Sequence, residues 1–212
     1  MTLLVATTNP GKIREIRLAL RGAPVELRTL ADVGPVPEPE ETGSTFAANA
    51  AHKARYYAAR AGLPTVAEDS GLVIDALGGA PGVRSARYPG KTYAEKFDNL
   101  YRALAPHPRP WIARFVCSLA YVEGPASVTV APRHQTPPAV AFSCEGTIEG
   151  DIAPGPRGAN GFGYDPIFFY PPYGTTLGEV TDDDKLAVSH RGRAFQLFRA
   201  WISAKSDSTS RF

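Results

Sequence analysis

Residues 1–30 change hydrophobic period twice, and this constrains the fold more than any other stretch. Thr2-Leu3-Leu4-Val5-Ala6 is a short apolar run suited to a buried strand. The following Thr-Asn-Pro-Gly is a turn signal, because Pro fixes φ and Gly tolerates sharp reversals. Ile13, Ile16 and Leu20 then recur at helical spacing, and Gly22 stands where a helix often stops. Residues 25–30 alternate and read as a second strand. A chain that opens strand, glycine loop, helix, strand points to an α/β fold.

The rest of the chain extends that pattern. Residues 31–43 are a Pro- and Glu-rich loop, and Ser44 or Thr45 can cap a helix that runs to about Ala61. Thr65-Val66-Ala67 and Leu72-Val73-Ile74 read as strands flanking an acidic turn, Glu68-Asp69-Ser70-Gly71. Residues 78–90 form a long loop, and Thr92-Tyr93-Ala94-Glu95 is a capping box that starts another helix. Residues 112–122, 127–130 and 140–149 are expected to form an antiparallel meander, with 131–138 as its proline-containing connection. A glycine-rich loop over 155–166 and a last helix over about 191–204 follow. The domain expected is residues 1–205, with 206–212 a frayed tail.

Composition removes several function classes. A net charge of +2 is far from the strongly basic balance of a general nucleic-acid binder. No apolar run approaches the ~20 residues needed to span a bilayer, so no membrane partner is expected. Cys117 and Cys144 lack C-x-x-C spacing, which argues against zinc and leaves buried thiols as the simple reading. The start shows no basic region followed by an apolar one, so a reducing cytoplasm is the simplest compartment.

Two acidic clusters carry the chemistry. Glu40, Glu41, Glu68 and Asp69 offer hard oxygen ligands from two segments, as Mg²⁺ prefers. Water activated there, with a carboxylate taking its proton, would attack phosphorus. Thr7-Thr8-Asn9-Pro10-Gly11-Lys12 places backbone N–H groups at a helix start beside the Lys12 charge, an arrangement suited to phosphate. It is not a Walker A loop. Lys53 lies within the second helix and could reach phosphates. Gly161-Phe162-Gly163-Tyr164-Asp165-Pro166 offers an aromatic that can stack on a base. Lys185 and Ser189-His190-Arg191-Gly192 add donors for a base or sugar. Each segment alone would also suit a solvated turn or an ordinary core loop.

As an ordered set these segments resemble one family, the noncanonical purine nucleoside triphosphate pyrophosphatases, also known as inosine triphosphatase or XTP/dITP diphosphatase. The resemblance also draws on Glu41-Thr42-Gly43-Ser44-Thr45-Phe46 with Asn49 and Lys53, on residues 77–83 and 85–88, and on Arg114-Phe115-Val116-Cys117. It spans most of residues 3–200. It implies an elongated, two-lobed α/β fold with a mixed sheet, flanking helices and an active-site cleft between the lobes. It implies a homodimer, a Mg²⁺ requirement, and hydrolysis of ITP, dITP or XTP to the monophosphate and pyrophosphate, clearing deaminated purines from the nucleotide pool.

Residue by residue, the resemblance makes Asp69 the proton acceptor and a metal ligand, with Glu40 or Glu41 as the second carboxylate. Thr7, Thr8, Asn9, Pro10, Gly11, Lys12 and Lys53 would hold the triphosphate, and Ser70 would add a substrate contact. Phe162, Gly163, Tyr164, Asp165, Lys185, His190 and Arg191 would surround base and sugar. Donors from Arg191 or His190 would favour an oxygen at C6 over the adenine amino group, because unpaired buried polar groups cost ~1–3 kcal/mol each. On this reading Arg191→Ala relaxes base selection more than it harms the fold. Glu68 stands where the family often has Asp, and the segment over 126–138 is longer than the family pattern. Competing readings are a nucleotide-sensing protein without turnover, a related nucleotide pyrophosphatase of broader range, and a nucleic-acid module, which the charge balance opposes.

Overall fold

A computed structural model describes residues 1–124 and 138–209 of the chain. The expected strand at 127–130 and most of the 131–138 connection lie outside the described residues. Seven strands are hydrogen-bonded in the order β2-β1-β3-β4-β5-β6-β7. They are β1 (Thr2–Val5), β2 (Glu26–Thr29), β3 (Thr65–Ile74), β4 (Ile112–Val122), β5 (Val140–Ile152), β6 (Phe168–Tyr170) and β7 (Thr175–Thr176). β1 pairs in parallel with β2 and β3, whereas β5, β6 and β7 pair antiparallel, so the sheet is mixed. Five α-helices accompany them: α1 (Pro10–Ala19), α2 (Phe46–Ala61), α3 (Tyr93–Leu104), α4 (Asp182–Val188) and α5 (His190–Thr209). No helix among the described residues is long and apolar enough to cross a membrane.

The chain divides into two compact units. Among the described residues the first draws on Met1–Asp69, Ser118–Glu145 and Ala194–Phe212. Its core joins Leu4 of β1, Ala6 just after it, Ala67 of β3, and Ala50, Ala54, Tyr57 and Ala58 of α2. Ala50, Ala54 and Ala58 recur every fourth residue, so α2 presents a flat, small-residue face to its neighbours. The same unit holds a ring cluster in which Trp201 lies 5.3 Å from Tyr121 and 5.0 Å from Phe142, centroid to centroid. Each such pair stabilises by about 0.5–1.5 kcal/mol beyond area burial.

The second unit draws on Ser70–Cys117 and Gly146–Arg193. Phe97, Leu100 and Leu104 of α3 form one helical stripe and pack with Leu72, Ile74, Phe115, Ile148 and Phe168. Cys117 is buried, Cys144 is half-buried, and neither is in a disulfide. Burial pushes the Cys144 thiol up to about 11.

Three features differ from the sequence reading. Glu68-Asp69-Ser70-Gly71 is not a turn between two strands: β3 runs unbroken through it. Glu68 can lie in a buried strand because Lys12 neutralises it, and Asp69 because Lys53 neutralises it and Asn49 donates a hydrogen bond to it. Helix α4, which the pattern did not suggest, is capped by Thr181 and carries Asp182, Asp183 and Asp184 in its first turn, where acidic charge suits the helix dipole. Helix α5 starts at His190 and continues to Thr209, past residue 205, where a tail was expected.

Candidate active site

Asp69 is the centre of the first unit's polar residues. It is buried, and both carboxylate oxygens are held. Lys53 Nζ lies 3.2 Å from Oδ1, and Asn49 Nδ2 donates to Oδ2 at 2.9 Å. Asn49 and Lys53 sit one helical turn apart on α2, so one helix face grips both oxygens. That helix starts where it does because the Thr45 hydroxyl accepts the Ala48 N–H, and it ends at Gly62 in the left-handed region. Lys53 also donates to Glu41 Oε1 at 2.8 Å. Burial works against the Lys53 charge, but Asp69, Glu68 and Glu41 together outweigh it and hold its pKa above the ordinary lysine value.

The Lys53 partnership separates two adjacent residues. Glu41 shares Lys53 with Asp69, while Glu40 is solvent-exposed and is not a partner of that lysine. Among the described residues, no group of three or more His, Cys, Asp or Glu gathers as a metal cage. Mg²⁺ rarely uses one: one or two carboxylates plus waters and phosphates suffice. Asp69 and Glu41, linked through Lys53, supply two hard carboxylates, and that donor set suits the ion.

The loop before α1 is organised differently from the sequence expectation. The Asn9 side chain caps the helix, with Oδ1 accepting Gly11 N–H at 2.9 Å and Lys12 N–H at 3.2 Å. Those two backbone donors, expected to face phosphate, are thus taken up by Asn9. Thr7 Oγ1 accepts the Asn9 N–H at 3.2 Å, and Thr8 Oγ1 donates to Glu38 at 2.7 Å. Pro10 occupies the first helical turn, where its missing N–H costs nothing. Lys12 reaches across to Glu68 at 2.8 Å, so its ammonium stands beside the residue that precedes Asp69.

The second unit carries the remaining candidates. Asp165 is buried and accepts the Phe162 N–H at 2.7 Å, and Lys185 donates to the same oxygen. Gly161 lies in the left-handed region (φ 73°), and a Cβ there would come within 2.2 Å of that oxygen. Only glycine leaves the Asp165 lock intact. Phe162 is half-buried, with Lys185 Nζ 4.8 Å and Arg191 Cζ 5.5 Å from its ring centroid. Gly163, also left-handed, brings the chain round to Tyr164. Tyr164 belongs to the core, and its hydroxyl donates to the Ser85 carbonyl at 2.8 Å. The loop's two aromatics therefore divide: Phe162 is half-buried, and Tyr164 packs in the core. His190 stacks on Phe115 at 4.8 Å and 17°, within the buried interior. Arg191, 1% exposed, donates to Ser70 Oγ at 2.8 Å.

Sequence reasoning gave no site role of its own to Asn49, which holds Asp69, and offered Glu68 as a hard oxygen ligand, whereas in the structure it pairs with Lys12. Glu68 was signalled by its place beside Asp69. Asn49 was signalled by its place in the segment that carries the resemblance, four residues before Lys53.

A family model described as the Ham1 family matches residues 3–201. A dITP/XTP pyrophosphatase of Syntrophobacter fumaroxidans is 44% identical, covering 96% of this chain and 86% of its own. A protein of the same description from Shigella flexneri is 43% identical, covering 92% and 94%. A solved HAM1 protein from Coxiella burnetii has a TM-score of 0.82 at 39% identity, covering 96% of this chain and 99% of its own.

Proposed function

The chain belongs to the Ham1 family, and we propose that it does what its dITP/XTP pyrophosphatase relatives are named for, with Asp69 as the residue that accepts the proton. It is a nucleoside triphosphate pyrophosphatase that hydrolyses noncanonical purine nucleotides, namely ITP, dITP and XTP. The observation that carries the mechanism is the buried Asp69 carboxylate held by Lys53 and Asn49 beside Glu41.

In this reading water attacks the α-phosphorus, its proton passes to Asp69, and the α–β anhydride bond breaks to release pyrophosphate. Mg²⁺, held by Asp69 and Glu41, would supply charge neutralisation on the phosphate oxygens. Lys12 and Lys53 bind and orient the triphosphate, with Thr7, Thr8, Asn9, Pro10 and Gly11 shaping the loop around it. Ser70, tied to Arg191, lies one peptide bond beyond Asp69 and adds a substrate contact. Phe162 stacks on the base, with Gly163 permitting its approach. Lys185 and Arg191 present donors to an oxygen at C6, and Asp165 holds Lys185 in place. His190 backs this set from the interior.

The role proposed is removal of deaminated purines from the nucleotide pool. The family resemblance also supports action as a homodimer in the cytoplasm, on small nucleotides and on neither nucleic acid nor membrane.

The test is pyrophosphate release from ITP, XTP, GTP and ATP, with Mg²⁺ and with chelator. Rapid release from ITP and XTP that chelator abolishes, with GTP and ATP slow, is expected. Equal rates on all four nucleotides would remove the base selection, and full activity in chelator would remove the metal.

A further inference from the structure

Asn49 sits in the first turns of α2 and is 1% exposed. Its carboxamide has one orientation that satisfies both ends. Nδ2 donates to Asp69 Oδ2 at 2.9 Å, and Oδ1 accepts the Gly43 N–H at 2.9 Å. Reversing the amide would set oxygen against carboxylate and nitrogen against N–H, so the backbone at residue 43 dictates which end faces Asp69.

Gly43 matters for a second reason. A Cβ at that position would lie 2.4 Å from Asn49 Oδ1 and 3.1 Å from the Ala48 Cβ. Gly43 is not among the glycines with positive φ, so backbone conformation does not explain the glycine. The contact with Asn49 does: any larger residue pushes the carboxamide away.

We propose that Gly43 and Asn49 form a positioning pair that fixes the rotation of the Asp69 carboxylate. The inference rests on Asp69 as the proton acceptor. Lys53 binds Oδ1 through a flexible four-carbon stem. The Asn49 amide binds Oδ2 from a short, buried side chain anchored at its other end to the main chain. It therefore limits the carboxylate's rotation without adding a charge. A misplacement of about 1 Å at a reacting group can cost on the order of 100-fold in rate, which is the scale such a pair controls. Asn49 touches Asp69 and acts through it, as a positioning residue.

The experiment measures kcat on ITP, equilibrium binding of a non-hydrolysable ITP analogue, and melting temperature. The variants are Asn49→Ala, Gly43→Ala, the double variant, and Asp69→Asn. Asn49→Ala is expected to lower kcat by about 10- to 100-fold, with analogue affinity within about threefold of wild type. Gly43→Ala should lower kcat by about tenfold in the wild-type background and add little once Asn49 is Ala, because both changes act through one amide. Gly43→Ala keeps every polar side chain, so it tests the idea even if Asn49→Ala folds poorly. Loss of kcat in Asp69→Asn with near-normal kcat in Asn49→Ala overturns the positioning role alone. Independent, multiplying effects of the two single changes overturn it too, as does a loss that only follows weaker binding or lower melting temperature. Turnover surviving in Asp69→Asn overturns the proton-acceptor reading, and the positioning role with it.

Discussion

The Tyr164 hydroxyl donates to the Ser85 carbonyl at 2.8 Å, which ties the Gly161–Asp165 loop to the turn at residues 82–87. Ser85 in turn accepts the Leu72 N–H on its hydroxyl at 2.9 Å, close along β3 to Ser70. Burial also pushes the Tyr164 phenol's pKa up, so it stays a donor at any physiological pH. Tyr164→Phe should therefore destabilise the fold by about 1 kcal/mol, the usual net worth of one hydrogen bond. Thermal melting would detect that. The ITP-to-ATP ratio should stay within about twofold of wild type, because this ring packs in the core. A large change in that ratio would return Tyr164 to the ligand.

Asp69→Asn should leave fold and nucleotide affinity close to wild type and lower kcat at least about 100-fold, the lower range for loss of a general base. Single-turnover kinetics with ITP, beside equilibrium binding of a non-hydrolysable analogue, separates the two effects. Near-normal turnover would mean that the proton goes elsewhere.

Arg191→Lys is the informative change at the base-side arginine. The sequence reading expected Arg191→Ala to relax base selection more than it harms the fold, and Arg191 is almost fully buried. Truncation there opens a cavity, and large-to-small changes in cores cost about 2–5 kcal/mol. Lysine keeps the charge and stem and removes the planar fork. The ratio of kcat/KM for ITP over ATP is expected to fall by about tenfold, the scale of one lost polar discrimination. An unchanged ratio would take base selection away from Arg191.

Glu179 supplies a pH test away from the candidate site. Its carboxylate accepts the Thr176 N–H at 2.7 Å and the Thr176 hydroxyl at 3.0 Å. The backbone bond from Thr176, helped by that hydroxyl and by Arg157, holds its carboxyl below the usual glutamate value. A depressed carboxyl stabilises the fold above its unfolded value, about 4.3, and loses that contribution as pH falls through the folded value. Glu179→Gln should thus melt below wild type at pH 7, and the gap should close towards pH 3. A gap that stayed constant with pH would point to packing.

Much of the first unit was legible because its signals are local. Asn9-Pro10-Gly11 both ends β1 and caps α1, and Thr45 and Gly62 mark the two ends of α2 within a residue. The continuity of β3 was not legible, since Glu68 and Asp69 look like a solvated turn until Lys12, Asn49 and Lys53 are brought to them. The split between Phe162 and Tyr164 was hidden for the same reason: only the distant Ser85 carbonyl shows which ring turns inward. Glu40 and Glu41 are chemically alike, and the Lys53 partnership and the exposure of Glu40 tell them apart. For Asn9 the hydrogen-bonding chemistry was legible, and the structure adds that its Oδ1 caps its own helix.

The order in which the two units claim the chain has a consequence for synthesis. The first unit uses Met1–Asp69, gives up the chain, takes it back at Ser118–Glu145, and recovers it again only from Ala194. Helix α5 itself changes allegiance between Arg193 and Ala194. Lys12, Asn49, Lys53 and Asp69 thus all lie in the first unit's first segment, yet that unit takes its last segment only after the second unit's Gly146–Arg193. The first unit therefore cannot be completed before the second, as it would be in a chain of consecutive domains. The unit that holds the Asp69 carboxylate is complete only once the second unit's last segment, Gly146–Arg193, has been made.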